Sequence, residues 1–142
     1  MKIGKIMEDM HKNSNVLYSA VVLDAASRTK LLDVMGDKIP NGWKLFAHHL
    51  TIAFGKGVEN KNIIGREANM FITDWAISDK VIAVKVSSYP NWLLVENAIP
   101  HITVAVNTEN GGKPVNSNDL TKWQPLKQFV LDGVVTEVKK NK

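Results

Sequence analysis

Two short stretches, Ala47-His48-His49-Leu50-Thr51-Ile52-Ala53-Phe54 and Pro100-His101-Ile102-Thr103-Val104-Ala105-Val106, alternate polar and apolar residues over the length of a β-strand. Side chains two apart on a strand point to the same face. His49 and Thr51 therefore share one face, and Leu50, Ile52 and Phe54 the other. In the second stretch His101, Thr103 and Ala105 oppose Ile102, Val104 and Val106. A lone His-x-Thr is the pattern of an ordinary structural histidine. Here two of only four histidines carry it, each backed by apolar residues. Two strands that each offer an imidazole and a hydroxyl read as halves of one site, and any fold of this chain has to bring them together.

The rest of the composition narrows what such a site can be. The length of 142 residues is that of one ordinary domain, so the expectation is a single unit over 1–142. Hydrophobic content of 44% and charged content of 23% are those of a globular chain. No apolar run approaches the length needed to span a bilayer. The start, interrupted by Glu8, Asp9, His11 and Lys12, lacks the apolar core of a signal peptide. Without cysteine there is neither disulfide nor thiolate chemistry. The expectation is a cytoplasmic protein with no membrane contact and no obligate protein partner. Net charge is +4, much of it in the tail Lys139-Lys140-Asn141-Lys142. That suits attraction of a phosphate-bearing ligand, but is too diffuse for tracking along duplex nucleic acid.

Along the chain, residues 1–15 read as a short helix or a loose arm. Val16 to Leu23 is a buried strand by its β-branched and aromatic content. A helix over 25–36 follows, capped by Asp24 or Ser27, striped by Leu31, Leu32 and Met35 and ending at Gly36. Ile39-Pro40-Asn41-Gly42 is a turn. Strands are expected at 67–77 and 80–88, joined by a hairpin at Ser78-Asp79, and again from Trp92 to Glu96. Asn107 to Asn118 is a loop, Asn118 to Trp123 a helical turn, and Phe129 to Val138 a closing strand with a bulge at Gly133. The pattern predicts an α+β fold with mainly antiparallel pairing.

Imidazole titrates near neutrality, so two histidines facing one substrate can divide the roles of base and acid. Cleavage of a phosphodiester needs both, together with donors for the charge that builds on the phosphoryl oxygens. Thr51 and Thr103 supply hydroxyls, and Lys113 with its neighbouring backbone is a further candidate. No carboxylate cluster with metal-ligand spacing lies near either motif, so the chemistry is expected to run without metal or cofactor. A two-histidine metal site is the alternative, for which the threonines are poor ligands. Tyr18, Trp43, Trp75, Trp92 and Trp123 are candidates for stacking on bases, though most tryptophans pack in cores. Glu137 is either a base-reading carboxylate or an exposed strand charge.

The paired His-x-Thr strands resemble the 2H phosphoesterase superfamily, whose members act on 2′,3′-cyclic phosphates and related phosphodiesters. That resemblance implies two pseudo-symmetric antiparallel-sheet lobes, with few helices, around a central cleft, and it places catalytic roles on His49, Thr51, His101 and Thr103. Tyr18 to Leu23, Gly42 to Lys44, Ala47 to Ile52, and His101 to Asn107 followed by Gly112-Lys113-Pro114 and Ser117-Asn118 are similar to the phage anti-CBASS branch of that superfamily. Those enzymes degrade the cyclic di- and trinucleotides that bacteria make as an infection alarm. By this resemblance the substrate and partner is a cyclic oligonucleotide such as cyclic GMP–AMP, contacted by Tyr18, Trp75, Lys113 and Glu137. Two other readings stay open: an RNA-processing 2′,3′-cyclic phosphodiesterase, and a non-catalytic sponge for cyclic nucleotides.

Overall fold

The computed structural model describes residues 15–140, so the helix or arm expected over 1–15 lies almost wholly outside the described residues. Eight elements carry the fold: β1 (Val16–Leu23), α1 (Ala25–Met35), β2 (Lys44–Leu45), β3 (His49–Phe54), β4 (Glu67–Ile77), β5 (Val81–Ser88), β6 (His101–Val106) and β7 (Gln124–Lys139). The expected β1, the helix, the hairpin strands and both motif strands are present. Trp92 to Glu96 is irregular chain instead of a strand.

β6 is paired on both edges, and this closes the sheet. On one side it meets β3 through Leu50↔Ile102, with β2 continuing along the same edge at Lys44↔Val106 and Leu45↔Ala105. On the other it meets β5 from Val81↔Val106 to Lys85↔His101. The circuit β6-β3-β1-β7-β4-β5 returns to β6 with every pairing antiparallel. The result is a closed six-stranded barrel with one extra strand and one α-helix. It overturns the expected α+β arrangement of two pseudo-symmetric sheet lobes around a central cleft. The reason is non-local. Alternation fixes which face of a strand is buried, but the meeting of β5 with β6 depends on β7, whose sixteen residues pair with β1 along one edge and β4 along the other.

Inside the barrel, Leu50 and Ile52 of β3 and Ile102 and Val104 of β6 join Val21, Met70, Ile72, Val84, Leu131 and Val135. The helix buries Leu31 and Met35 against the same core. Its first turn is held by Asp24, whose carboxylate accepts from the Ser27 N–H at 2.8 Å. Gly36 stays right-handed (φ −55°) and runs on into a 3₁₀ turn, Gly36–Lys38.

Two further details position the motif strands. The β3–β6 register would place Pro100 opposite Ile52, but proline has no N–H to give. The Ile52 carbonyl accepts from the Glu96 N–H at 2.9 Å instead, which draws the 91–100 loop against the end of β3. The expected bulge at Gly133 is absent, since pairing runs regularly through Leu23↔Gly133 and Ala68↔Gly133. The glycine answers to close approach: a Cβ there would lie 2.6 Å from the Val22 carbonyl oxygen and 2.7 Å from Val21 Cγ1. Gly133→Ala is expected to destabilise the fold by about 1–3 kcal/mol. Gly36→Ala, where a Cβ meets nothing within 4 Å, should be neutral or stabilising. Urea unfolding of the two variants checks the contrast.

Candidate functional site

Because Leu50 and Ile102 face the core, the alternate positions His49, Thr51, His101 and Thr103 lie together on the outer wall of the barrel, each half-buried. The strands run antiparallel with Leu50 opposite Ile102. Each histidine thus lies next to the threonine of the other motif.

Each imidazole is held by its neighbours. His49 stacks on Tyr18 with ring centroids 4.7 Å apart and planes 23° from parallel. Its Nδ1 lies 2.9 Å from Nδ1 of His48, so one of the two rings donates to the other. Burial, then the charges of His48 and His101, push the His49 pKa down to about 4. His101 donates from Nδ1 to the Ile99 carbonyl at 2.8 Å, which leaves the lone pair on Nε2. Burial lowers its pKa, and the Ile99 carbonyl works against that by favouring the cation. Thr103 Oγ1 is 2.8 Å from Ser117 Oγ and 3.5 Å from the Pro114 carbonyl. Thr51 Oγ1 has no hydrogen bond among the described residues.

The four further expected contacts divide. Tyr18 is in the site, stacked on His49. Lys113 stands beside it, immediately before Pro114 at the start of the 3₁₀ segment Pro114–Asp119. Trp75 and Glu137 are on the inward face. A bulge where β4 pairs with β5, between Ile72 and Asp74, reverses the alternation. Trp75 is turned against the core, with the Lys38 ammonium 5.5 Å from its ring centroid. Glu137 accepts from Lys61 Nζ at 2.5 Å and from the Val58 N–H at 3.1 Å, tying down the 56–61 loop. Burial pushes its carboxyl up, but Lys61, the Val58 N–H and Lys139 together hold it below the ordinary value.

The structure also adds residues. His48 touches His49, and Ser117 touches Thr103. Lys85 lies directly opposite His101 across the β5–β6 pairing, hence on the same outer face. Lys85 had a visible signal, a cation inside the apolar run Val81 to Val86; Ser117 was visible only as part of the Ser117-Asn118 pair in the resemblance. Among the described residues no three His, Cys, Asp or Glu side chains are placed to share a cation, and no helix is long and apolar enough to cross a membrane.

A family model described as the fungal tRNA ligase phosphodiesterase domain matches residues 33–140, a span that contains both motifs. The chain belongs to this family. The tRNA ligase phosphodiesterase domains are 2H phosphoesterases, so the superfamily expected from the paired motifs holds and the protein falls in a phosphodiesterase class. The match carries no phage anti-CBASS specificity. Among solved structures, the crystal structure of a fungal RNA kinase superposes with a TM-score of 0.50 at 12% sequence identity, over 88% of this chain and 44% of that one. That likeness is one of fold, and this chain spans less than half the neighbour's length. No curated protein matches. Within this phosphodiesterase family, Tyr18 lies ahead of the matched span, while Trp75, Lys113 and Glu137 fall inside it.

Proposed function

We propose that this tRNA-ligase-type phosphodiesterase domain opens 2′,3′-cyclic phosphates at RNA ends, with His49 and His101 sharing the proton transfers. The observation that carries the reading is the pair of imidazoles on one outer face, held by different partners, inside the span matched by the family. Water attacks phosphorus, one ester P–O bond breaks, and the cyclic diester becomes a monoester. His49 is neutral above about pH 4 and takes the proton from the attacking water. His101, fixed by its Nδ1–H to the Ile99 carbonyl, presents Nε2 to the leaving ribose oxygen and, as the cation, gives it a proton. Thr51 and Thr103 donate to the phosphoryl oxygens as charge builds there.

The test is incubation of the purified protein, in EDTA, with an RNA oligomer ending in a 2′,3′-cyclic phosphate and with a panel of cyclic di- and trinucleotides, read by mass spectrometry. Gain of one water at the RNA end is the expected result. Linearised cyclic oligonucleotides with an untouched RNA end would return the protein to the signal-degrading reading. Binding without turnover of any substrate would make it a sponge.

A further inference from the structure

The loop after β6 returns to the motif strands with a buried serine. Ser117 is 1% exposed, and the segment around it is held at both ends. At one end the Gly112 N–H gives to the Asn107 carbonyl at 2.9 Å, and a Cβ on Gly112 would overlap the Lys80 carbonyl oxygen. At the other, Leu120 packs on Ala76, Val81, Ala83 and Val106, and its N–H gives to the Ser117 carbonyl at 3.2 Å. Alanine would fill nearly the same space at position 117, and a hydroxyl taken out of water costs free energy unless it is paired. Two other serines are buried among the described residues, and both pair with backbone: Ser19 with the Ala53 carbonyl and Ser27 with the Asp132 N–H. Ser117 pairs with a motif side chain instead. Its Oγ lies 2.8 Å from Thr103 Oγ1 and has no other partner among the described residues.

That single contact fixes the direction of both hydroxyls. If Thr103 gave its hydrogen to Ser117, the hydrogen of Ser117 would be buried with nothing to accept it. With Ser117 donating, Thr103 Oγ1 accepts, and the Thr103 hydrogen is left to the Pro114 carbonyl at 3.5 Å. That is beyond the usual O–H···O range and is easily given up. We infer that Ser117 is a positioning residue: by occupying a lone pair of Thr103 Oγ1, it holds Thr103 as a donor whose hydrogen passes from the Pro114 carbonyl to a phosphoryl oxygen when substrate binds. A hydroxyl that already accepts a hydrogen bond is polarised towards giving its own proton. Thr51, on β3, has no such brace among the described residues, so the two motifs are unequal. The inference rests on the phosphodiesterase reading for the phosphoryl oxygen, and on the Ser117–Thr103 pair alone for the direction of the hydroxyl.

The experiment is a double-mutant cycle on turnover of an RNA oligomer ending in a 2′,3′-cyclic phosphate. Ser117→Ala is expected to lower kcat by about three- to tenfold, the scale of one hydrogen bond, and to leave KM nearly unchanged. Thr103→Val removes the donor itself and should lower kcat by about 10²-fold. In the Thr103→Val background Ser117→Ala should cost nothing further, whereas beside Thr51→Val it should cost its full factor. The same cycle is followed by calorimetric binding of uridine 2′- and 3′-monophosphates, whose dianionic phosphate carries charge that the cyclic substrate gains only on the way to product. There Ser117→Ala should weaken binding by about threefold, and only where Thr103 is present. An equal factor in all three backgrounds, or an unchanged kcat, would mean that Ser117 merely braces the loop; the inference falls and the enzyme reading stands. Loss of binding that depends on Thr103, in a protein that opens no cyclic phosphate, overturns the enzyme reading and leaves the positioning role standing. No turnover together with binding indifferent to Ser117 overturns both.

Discussion

Replacing either His49 or His101 by asparagine is expected to cut kcat on a 2′,3′-cyclic-phosphate RNA by about 10²–10⁴-fold, the range for loss of a positioned acid or base. The two losses should differ in character. If His49 accepts the proton of water, wild-type activity falls at low pH as that group protonates, and His49→Asn removes the acidic limb of the profile. If His101 donates to the leaving oxygen, His101→Asn removes the alkaline limb. Asparagine keeps a polar side chain of similar reach, so unfolding midpoints should move little and substrate should still bind. Single-turnover rates across pH, beside binding of the uncleaved RNA end, check each part. Loss of the same limb in both variants would defeat the division of roles, and unimpaired turnover in either would remove that histidine from the reaction.

A second large effect concerns the fold. An unfolded histidine titrates near 6.5, whereas His49 is held down at about 4. Between those values the unfolded chain binds a proton that the folded chain refuses. Stability therefore falls as pH drops from about 6.5 to about 4, and this group contributes no further change below that. At about 1.4 kcal/mol per unit the loss is about 3 kcal/mol, a large share of what a domain of this size possesses. The depression of Glu137 adds a loss at still lower pH, through its own shifted range, and is common to wild type and variant. Urea unfolding at pH 7 and pH 4 isolates the histidine: wild type should lose about 3 kcal/mol more than His49→Gln between the two. Equal losses would mean that His49 is not buried neutral against Tyr18.

What the sequence disclosed was what is local. The Asp24 cap, the turn at Ser78-Asp79 and the alternation that groups His49 with Thr51 and His101 with Thr103 depend on residues a few places apart, and the structure has all of them. Barrel closure depends on partners far apart in the chain, and nothing in Val81 to Ser88 announces that its second neighbour is His101 to Val106. Trp92 to Glu96 has strand-like side chains, but it lies between Pro90 and Pro100, and its Glu96 N–H serves a single carbonyl on β3 instead of a ladder. Gly133 illustrates an ambiguity of glycine, which marks a bulge in one strand and a close approach in another. In the site, the histidines and threonines were legible because their face follows from counting by two. Trp75 was not, because the bulge before it reverses the count. Glu137 carries a charge on the inward face that only the Lys61 ammonium and the Val58 N–H explain.

The outward placement of the two motifs has a bearing on the size of what they act on. A pocket inside a barrel measures its ligand by the width of the bore, and rejects anything longer than it can enclose. Here the bore is filled by Leu50, Ile102 and their neighbours, and the imidazoles stand outside it. Nothing has to thread, so a polymer of any length meets the wall as easily as a mononucleotide does. On the proposed reading, only the end of such a polymer has to reach the two imidazoles.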